Sequence, residues 1–167
     1  VDAVLDRLEQ MGLEQLVITD ATSIFYLTGI WVDAGERLVA LYLSRHRDCC
    51  FFVNNMFNLP PDPGVKIVRF SDTDPYLEML AGCTDSTRPL GVDKIMPARF
   101  LLPLMSMGCG AEYVNASICV DGARAVKDEE EMEAMRRVSA INDKAMAEFK
   151  ALLKEGVTER KISNQMK

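Results

Sequence analysis

One short segment, IWVDAGER, combines a large aromatic residue with three charges in a predicted loop. Trp31 is the only tryptophan of the 167-residue chain, and lone exposed aromatic residues are enriched at interfaces. Asp33 and Glu36 carry carboxylates that suit an amine, and Arg37 carries a guanidinium that suits a carboxylate. These four residues are therefore the candidate binding residues. In the alternative, Trp31 packs in the core and the three charges are solvated.

Two further aromatic residues, Phe25 and Tyr26, lie just before this loop at a predicted strand-to-helix junction. A stacking role toward a ligand is one interpretation. The position favours the other, in which both rings anchor the core. His46 is the one histidine and lies between two predicted strands, where a solvated turn residue is expected.

Metal-binding patterns are absent from the sequence. Glu129, Glu130 and Glu131 are consecutive on a predicted helix, so they point to different faces and cannot converge on one ion. The chain has five cysteines, and no two are spaced as C-x-x-C. A zinc site and a disulfide framework are therefore disfavoured. Reduced, mostly buried thiols predict a cytoplasmic protein.

Charge and hydropathy exclude two classes of partner. The formal net charge is -6 with a pI near 4.9, whereas nucleic-acid binding needs clustered Lys and Arg. No apolar run approaches the roughly 18 residues of a membrane span. Hydrophobic residues make up 49% of the chain, which is enough for a real core.

The hydrophobic pattern predicts alternating helices and strands over roughly the first 120 residues. Val4, Leu5, Leu8 and Met11 share one face of a first helix. Later segments predict a strand at 16–19, a hairpin of strands 36–44 and 49–54, a loop at 58–64, strands at 65–70, 88–93 and 111–115, and a helix at 97–108. The expected fold class is α/β, with a mixed β-sheet flanked by helices.

A long helix follows this region. Asp128 and Glu131 match a capping box, and Gly156 is the predicted end of the helix. Thr158 can then cap another helix, which reaches only Lys167. We therefore expect one domain over residues 1–122, followed over 123–167 by a linker and the first helices of a second, truncated domain.

Two stretches carry a family resemblance. The sequence DATSIFYLTG, at 20–29, and the pattern R-x-x-K-x-x-x-E, at 124–131, occur in that order with ITD, RLVALYLS and LGVD at matching places. Together they resemble the Xaa-Pro peptidase family, which includes prolidase, aminopeptidase P and creatinase. The resemblance extends over about the whole chain.

The resemblance implies a creatinase-type N-terminal domain with ribonuclease H-like topology, plus a C-terminal helix. It also implies a second, pita-bread metallopeptidase domain. That domain holds two divalent ions, usually manganese or cobalt, on two Asp, one His and two Glu. No segment here matches those ligands, which would lie beyond Lys167. No cofactor is therefore expected in this fragment, which is predicted to be inactive alone.

The resemblance further implies a homodimer in which this domain serves dimerisation and substrate access. The loop with Trp31 would approach the partner's active site, where Asp33 and Glu36 suit the amine of an Xaa-Pro peptide and Arg37 its carboxylate. Two alternatives stay open. One is a creatinase-like amidinohydrolase on the same scaffold, and the other is a pseudo-peptidase module that binds proteins.

Overall fold

The structure is a computed structural model that describes residues 1–60 and 64–166. It contains two compact units, residues 1–125 and 126–167. The loop predicted over 58–64 includes residues 61–63, which lie outside the described residues.

The first unit contains a six-stranded sheet with helices between its strands. Its elements are α1 (Asp2–Gln10), β1 (Gln15–Ile18), α2 (Ala21–Thr28), β2 (Val39–Ser44), β3 (Cys50–Asn54), β4 (Lys66–Phe70), α3 (Tyr76–Ala81), β5 (Leu90–Val92), α4 (Ala98–Ser106), β6 (Tyr113–Asn115) and α5 (Ser117–Ala125).

The strand order is β4-β3-β2-β1-β5-β6. Strand β2 is antiparallel to both β1 and β3, and the remaining neighbours are parallel. The carboxyl ends of the other five strands therefore lie at the same edge of the sheet as the start of β2. We call this the carboxyl edge. The predicted mixed sheet and the β2–β3 hairpin are both confirmed.

Helices cover both faces of the sheet. Consecutive strand residues point to opposite faces, so neighbours in one strand pack in different apolar clusters. Leu16 and Ile18 pack in one apolar cluster with residues of α1, α2 and α5. Val17 packs in a second cluster with residues of α3 and α4. Every residue of β2 and β3 is buried, which explains why these strands read as nearly continuous apolar runs.

Several details differ from the sequence-based expectations. Met11 is 40% exposed rather than on the buried face, because α1 ends at Gln10 and Met11 caps it. Strand β2 begins at Val39 rather than Glu36, because the polar residues before it belong to the loop.

Helix α5 was not predicted at all. It contains Gly122, which weakens a helical pattern. A Cβ atom at Gly122 would lie only 2.7 Å from a guanidinium nitrogen of Arg7 on α1. Because that nitrogen is at the end of a flexible side chain, it can move aside, and this close approach alone does not require glycine.

The second unit consists of α6 (Glu129–Leu152) and α7 (Glu159–Gln165). The capping box of Asp128 and Glu131 is confirmed, and Thr158 caps α7 as predicted. Helix α6 ends at Leu152, not at Gly156, and no residue of it is buried. None of the helices in the described ranges has the length and apolarity needed to cross a membrane.

Asp93 joins two parallel strands at the carboxyl edge. Its Oδ2 accepts hydrogen bonds from the backbone N–H and the hydroxyl of Thr19 and from the N–H of Asp20 at 2.9 Å. Its Oδ1 accepts from the N–H of Ile95 at 3.0 Å. Asp93 is only 8% exposed, so these donors have little access to water. The carboxylate therefore fixes the end of β1 against the end of β5.

We expect Asp93→Ala to lower the free energy of unfolding by about 2 kcal/mol, because it leaves partly buried N–H groups without an acceptor. Urea denaturation followed by circular dichroism measures the change. Asp48→Ala is the matched control, because the Asp48 side chain forms an exposed ion pair with Lys66. We expect it to change stability by less than about 0.5 kcal/mol. Equal effects of the two variants would contradict the role of Asp93.

Candidate functional site

The candidate loop connects α2 to β2 at the carboxyl edge. Gly29 ends α2 with φ at 69°, a left-handed conformation that glycine adopts without strain. Ile30 and Val32 are buried at 4% and 6% exposure, whereas Trp31 between them is 60% exposed. The alternation holds the loop against the core by two side chains and projects the tryptophan outward. The alternative in which Trp31 packs in the core is therefore wrong.

Trp31 has an aromatic neighbour on α2. The rings of Phe25 and Trp31 meet edge to face, with centroids 6.0 Å apart and planes at 76°. Phe25 is 48% exposed and Tyr26 is 38% exposed, so the prediction that they anchor the core is wrong. The reason is helical phase: α2 turns Ser23 and Ile24 inward, and the next two residues face outward.

Arg37 lies at the other end of the loop and has a partner within the domain. Its Nε and Nη2 donate to the two carboxylate oxygens of Asp72, at 2.9 and 2.7 Å. Asn54, which is 1% exposed, donates to Asp72 at 2.7 Å. This chain of contacts ties the loop to the ends of β3 and β4.

The electrostatics follow from the same geometry. The hydrogen bond from Arg37 is the main cause that lowers the pKa of Asp72 below its ordinary value. The same bond raises the pKa of Arg37. Because the pair is exposed, it contributes little to the stability of the domain. Its main effect is to fix the direction of the guanidinium through a two-point contact.

The two remaining candidates are held loosely. Glu36 reaches Arg99 of α4 at 3.9 Å, and its side chain is 93% exposed. Asp33 accepts a hydrogen bond from the N–H of Gly35 at 3.4 Å. Glu36 and Arg37 line a common cavity with Arg99, but Trp31 and Asp33 are not part of its lining. The proposed contacts of all four residues with a substrate stay predictions.

Sequence reasoning missed three residues around the loop: Asn54, Asp72 and Arg99. They lie in β3, in the turn after β4 and in α4, 17 or more positions away from Arg37 in sequence. Asp72 carries the one available signal, since it follows a predicted strand in SDTD, a run of side chains able to bond the backbone.

Within residues 1–60 and 64–166, no three His, Cys, Asp or Glu side chains are grouped so as to hold a metal ion. All five cysteines are free. Burial raises the pKa of the Cys50 thiol to about 11 and also raises the pKa values of Cys109 and Cys119. These thiols stay protonated near neutral pH and are poor nucleophiles. His46 is exposed between β2 and β3, as predicted.

The structure is thus a mixed α/β domain in which the candidate loop exposes Trp31 at the carboxyl edge of the sheet. The profile of the Creatinase/Prolidase N-terminal domain family matches residues 1–126. The chain belongs to this family.

Known proteins agree with this assignment. An uncharacterised peptidase of Staphylococcus epidermidis is 27% identical over 95% of this chain and 46% of its own length. The crystal structure of dipeptidase PepE from Mycobacterium ulcerans is 28% identical, with a TM-score of 0.81, over 98% of this chain and 46% of that one.

A separately solved Creatinase/Prolidase N-terminal domain of an X-Pro dipeptidase from Streptococcus pyogenes shares the fold. Its TM-score is 0.59 at 19% identity, over 72% of this chain and 97% of that one. The chain described here spans about half the length of the curated relatives it matches.

We expect Arg37→Gln to raise the pKa of Asp72 toward its ordinary value, because the variant removes the main stabiliser of the carboxylate. A depressed pKa contributes stability that is present above the unfolded-state pKa and lost as pH falls through the folded-state pKa. Stability should therefore fall less steeply below about pH 4 in the variant than in the native chain. Carboxyl-carbon NMR titration and urea unfolding at acidic pH measure both effects.

Arg88→Gln is the control for this prediction, because Arg88 pairs with Glu14 at 3.4 Å, away from Asp72. The control should leave the Asp72 titration unchanged. An identical Asp72 titration in Arg37→Gln and the native chain would show that the contact does not persist in solution.

Proposed function

We propose that this chain forms the N-terminal, non-catalytic part of an Xaa-Pro dipeptidase. The observation that carries the proposal is the family match over residues 1–126, supported by the 28% identity to a dipeptidase over nearly the whole chain. The amidinohydrolase and protein-binding alternatives are not favoured, because the similar proteins are described as peptidases or dipeptidases.

In this proposal the complete protein is a metal-dependent peptidase that cleaves the bond before proline. The described residues do not fit a metal centre, since no three suitable side chains are grouped among them. The two divalent ions, manganese or cobalt, would be held by residues outside this chain. The chain's own contribution is to present the loop and to support dimerisation, within a cytoplasmic homodimer.

The loop is suited to substrate access. Its ends are fixed by buried Ile30 and Val32 and by the Arg37–Asp72 contact, while Trp31 stands 60% exposed between them. A fixed, exposed aromatic residue loses little entropy when it is covered by a partner or a substrate. Asp33 and Glu36 place negative charge beside it, which suits the free amine of a peptide.

The second unit supports the proposed continuation into a catalytic domain. An open apolar groove of about 780 Å³ lies between helices α6 and α7. It is lined by residues such as Met146, Phe149, Leu153 and Ile162. Apolar surface of this extent is normally covered by another element. In the proposal, further helices of the same domain cover it.

Hydrolysis of an Xaa-Pro dipeptide with added manganese tests the proposal. The longer protein that contains this chain should release proline with a kcat typical of enzymes, roughly 1–1000 per second. The present chain, tested in parallel at the same concentration, should give no turnover above buffer. Lack of Xaa-Pro hydrolysis by the longer protein, or turnover by this chain alone, would refute the assignment.

We expect Trp31→Ala in the longer protein to raise KM, or the dissociation constant of the dimer, by about fivefold, as for the loss of an interface aromatic residue. Steady-state kinetics and sedimentation at several protein concentrations measure the two quantities. Leu102→Ala is the matched control, since Leu102 on α4 is also 60% exposed. The access role is refuted if neither quantity changes, or if the control changes them equally.

A further inference from the structure

A polar cavity of about 300 Å³ lies beside the start of β2 at the carboxyl edge. This volume is at the lower end of the range for small-molecule sites. Its lining combines two cations, two anions and apolar surface, from Arg37, Arg99, Glu36, Asp72, Leu38 and Tyr76. The proposed peptidase function uses Glu36 and Arg37 of this lining, but it gives no role to Arg99 or to the cavity itself.

The first cation, Arg37, is already oriented. Asp72 engages its Nε and Nη2, and Asn54 holds Asp72 from the buried side. Among the described residues, no acceptor lies within hydrogen-bond distance of Nη1. Arg37 is thus a rigid fork with donors left over, which is the arrangement that recognises a second carboxylate at small entropic cost.

The second cation, Arg99, is only weakly compensated. Its guanidinium carbon lies 4.8 Å from the centre of the Phe100 ring, a cation–π contact. Its anionic partner among the described residues is Glu36, at 3.9 Å, and the Glu36 side chain is 93% exposed. An ion pair this long and this exposed stabilises little, so another anion can replace Glu36 at low cost.

The cavity also has an apolar wall. The rings of Phe70 and Tyr76 are stacked with centroids 5.0 Å apart and planes at 26°, and Leu38, in the same lining, is 1% exposed. Because Phe70 is only 2% exposed, the ring that a small apolar group can reach is that of Tyr76, which the stack with Phe70 supports.

We propose that the cavity is a binding site for a carboxylate carried on a small apolar body, with Arg99 as the main partner and Arg37 as the second. The carboxylate displaces Glu36 from Arg99, and the apolar body lies against Tyr76. A free organic acid and the C-terminal residue of a peptide share this chemistry. The proposal goes beyond the peptidase assignment and does not rest on it.

Because Glu36 competes with the ligand for Arg99, the proposal predicts opposite changes in ligand affinity for two variants. Glu36→Gln removes the competing carboxylate and should tighten binding by about threefold, the scale of an exposed ion pair. Arg99→Gln removes the main partner and should weaken binding by at least about tenfold, as for a charged hydrogen bond. Arg88→Gln makes the same charge change at the Glu14 pair and should have no effect.

The test is an NMR titration of the isotope-labelled chain, followed at the Nε–H signals of Arg37 and Arg99, at constant ionic strength. The probes are isobutyrate, as a free acid, and N-acetyl-glycyl-valine, as a peptide C-terminus, each compared with its amide. Inorganic phosphate is the third anion. Saturable shifts with a carboxylate but not with its amide support the proposal, and the tighter carboxylate identifies the source.

Three outcomes would overturn it. The first is that neither carboxylate gives a saturable shift. The second is that Arg99→Gln binds as the native chain does, or that Glu36→Gln fails to bind more tightly. The third is that phosphate binds more tightly than both carboxylates, which would assign the cavity to a different anion. None of these measurements requires peptidase activity, so they leave the proposed function to its own test.

Discussion

The domain depends on one nearly buried carboxylate. Asp93 accepts four hydrogen bonds from groups that the sheet ladder leaves unpaired where β1 and β5 end. At this point the chain departs from β1 into α2, whose N-cap is Asp20. The direction of α2 sets the position of Phe25, and the loop after α2 carries Trp31. The contact at Asp93 therefore determines where the candidate loop begins.

A second contact determines where the loop ends. Arg37 meets Asp72 across 35 positions of sequence, and Asn54 connects that pair to β3. Between these two attachments, Ile30 and Val32 are buried and Trp31 is not. The loop is thus exposed but fixed at both ends. Trp31 can therefore contact a partner or a substrate without a rearrangement of the loop backbone.

Local patterns in the sequence predicted most of the architecture. The strand expected at 16–19 and the capping box at Asp128 depend only on near neighbours. Such signals are readable because strand and helix periodicities are local properties. The sequence also predicted the loop after α2, since one tryptophan and three charged residues follow Gly29.

The errors have physical causes that local patterns do not contain. Phe25 and Tyr26 were assigned to the core by residue type, but the phase of α2 places them outside. Helix α5 was missed because Gly122 weakens its helical pattern, and its packing against α1 exists only in the folded domain. The partners of Arg37 and Glu36 are Asp72, in the turn after β4, and Arg99 on α4, which approach the loop only in the folded domain.

The packing of α1 against α5 has a consequence for how the protein is made. Leu5 of α1 shares an apolar cluster with Val120 and Ala123, more than 110 residues further along the chain. During synthesis, α1 therefore leaves the ribosome long before α5 does. Strand β1 likewise cannot pair with β5 until β5 has been synthesised. Closure of the sheet and its first helix layer is a late event, which α5 completes just before α6 emerges.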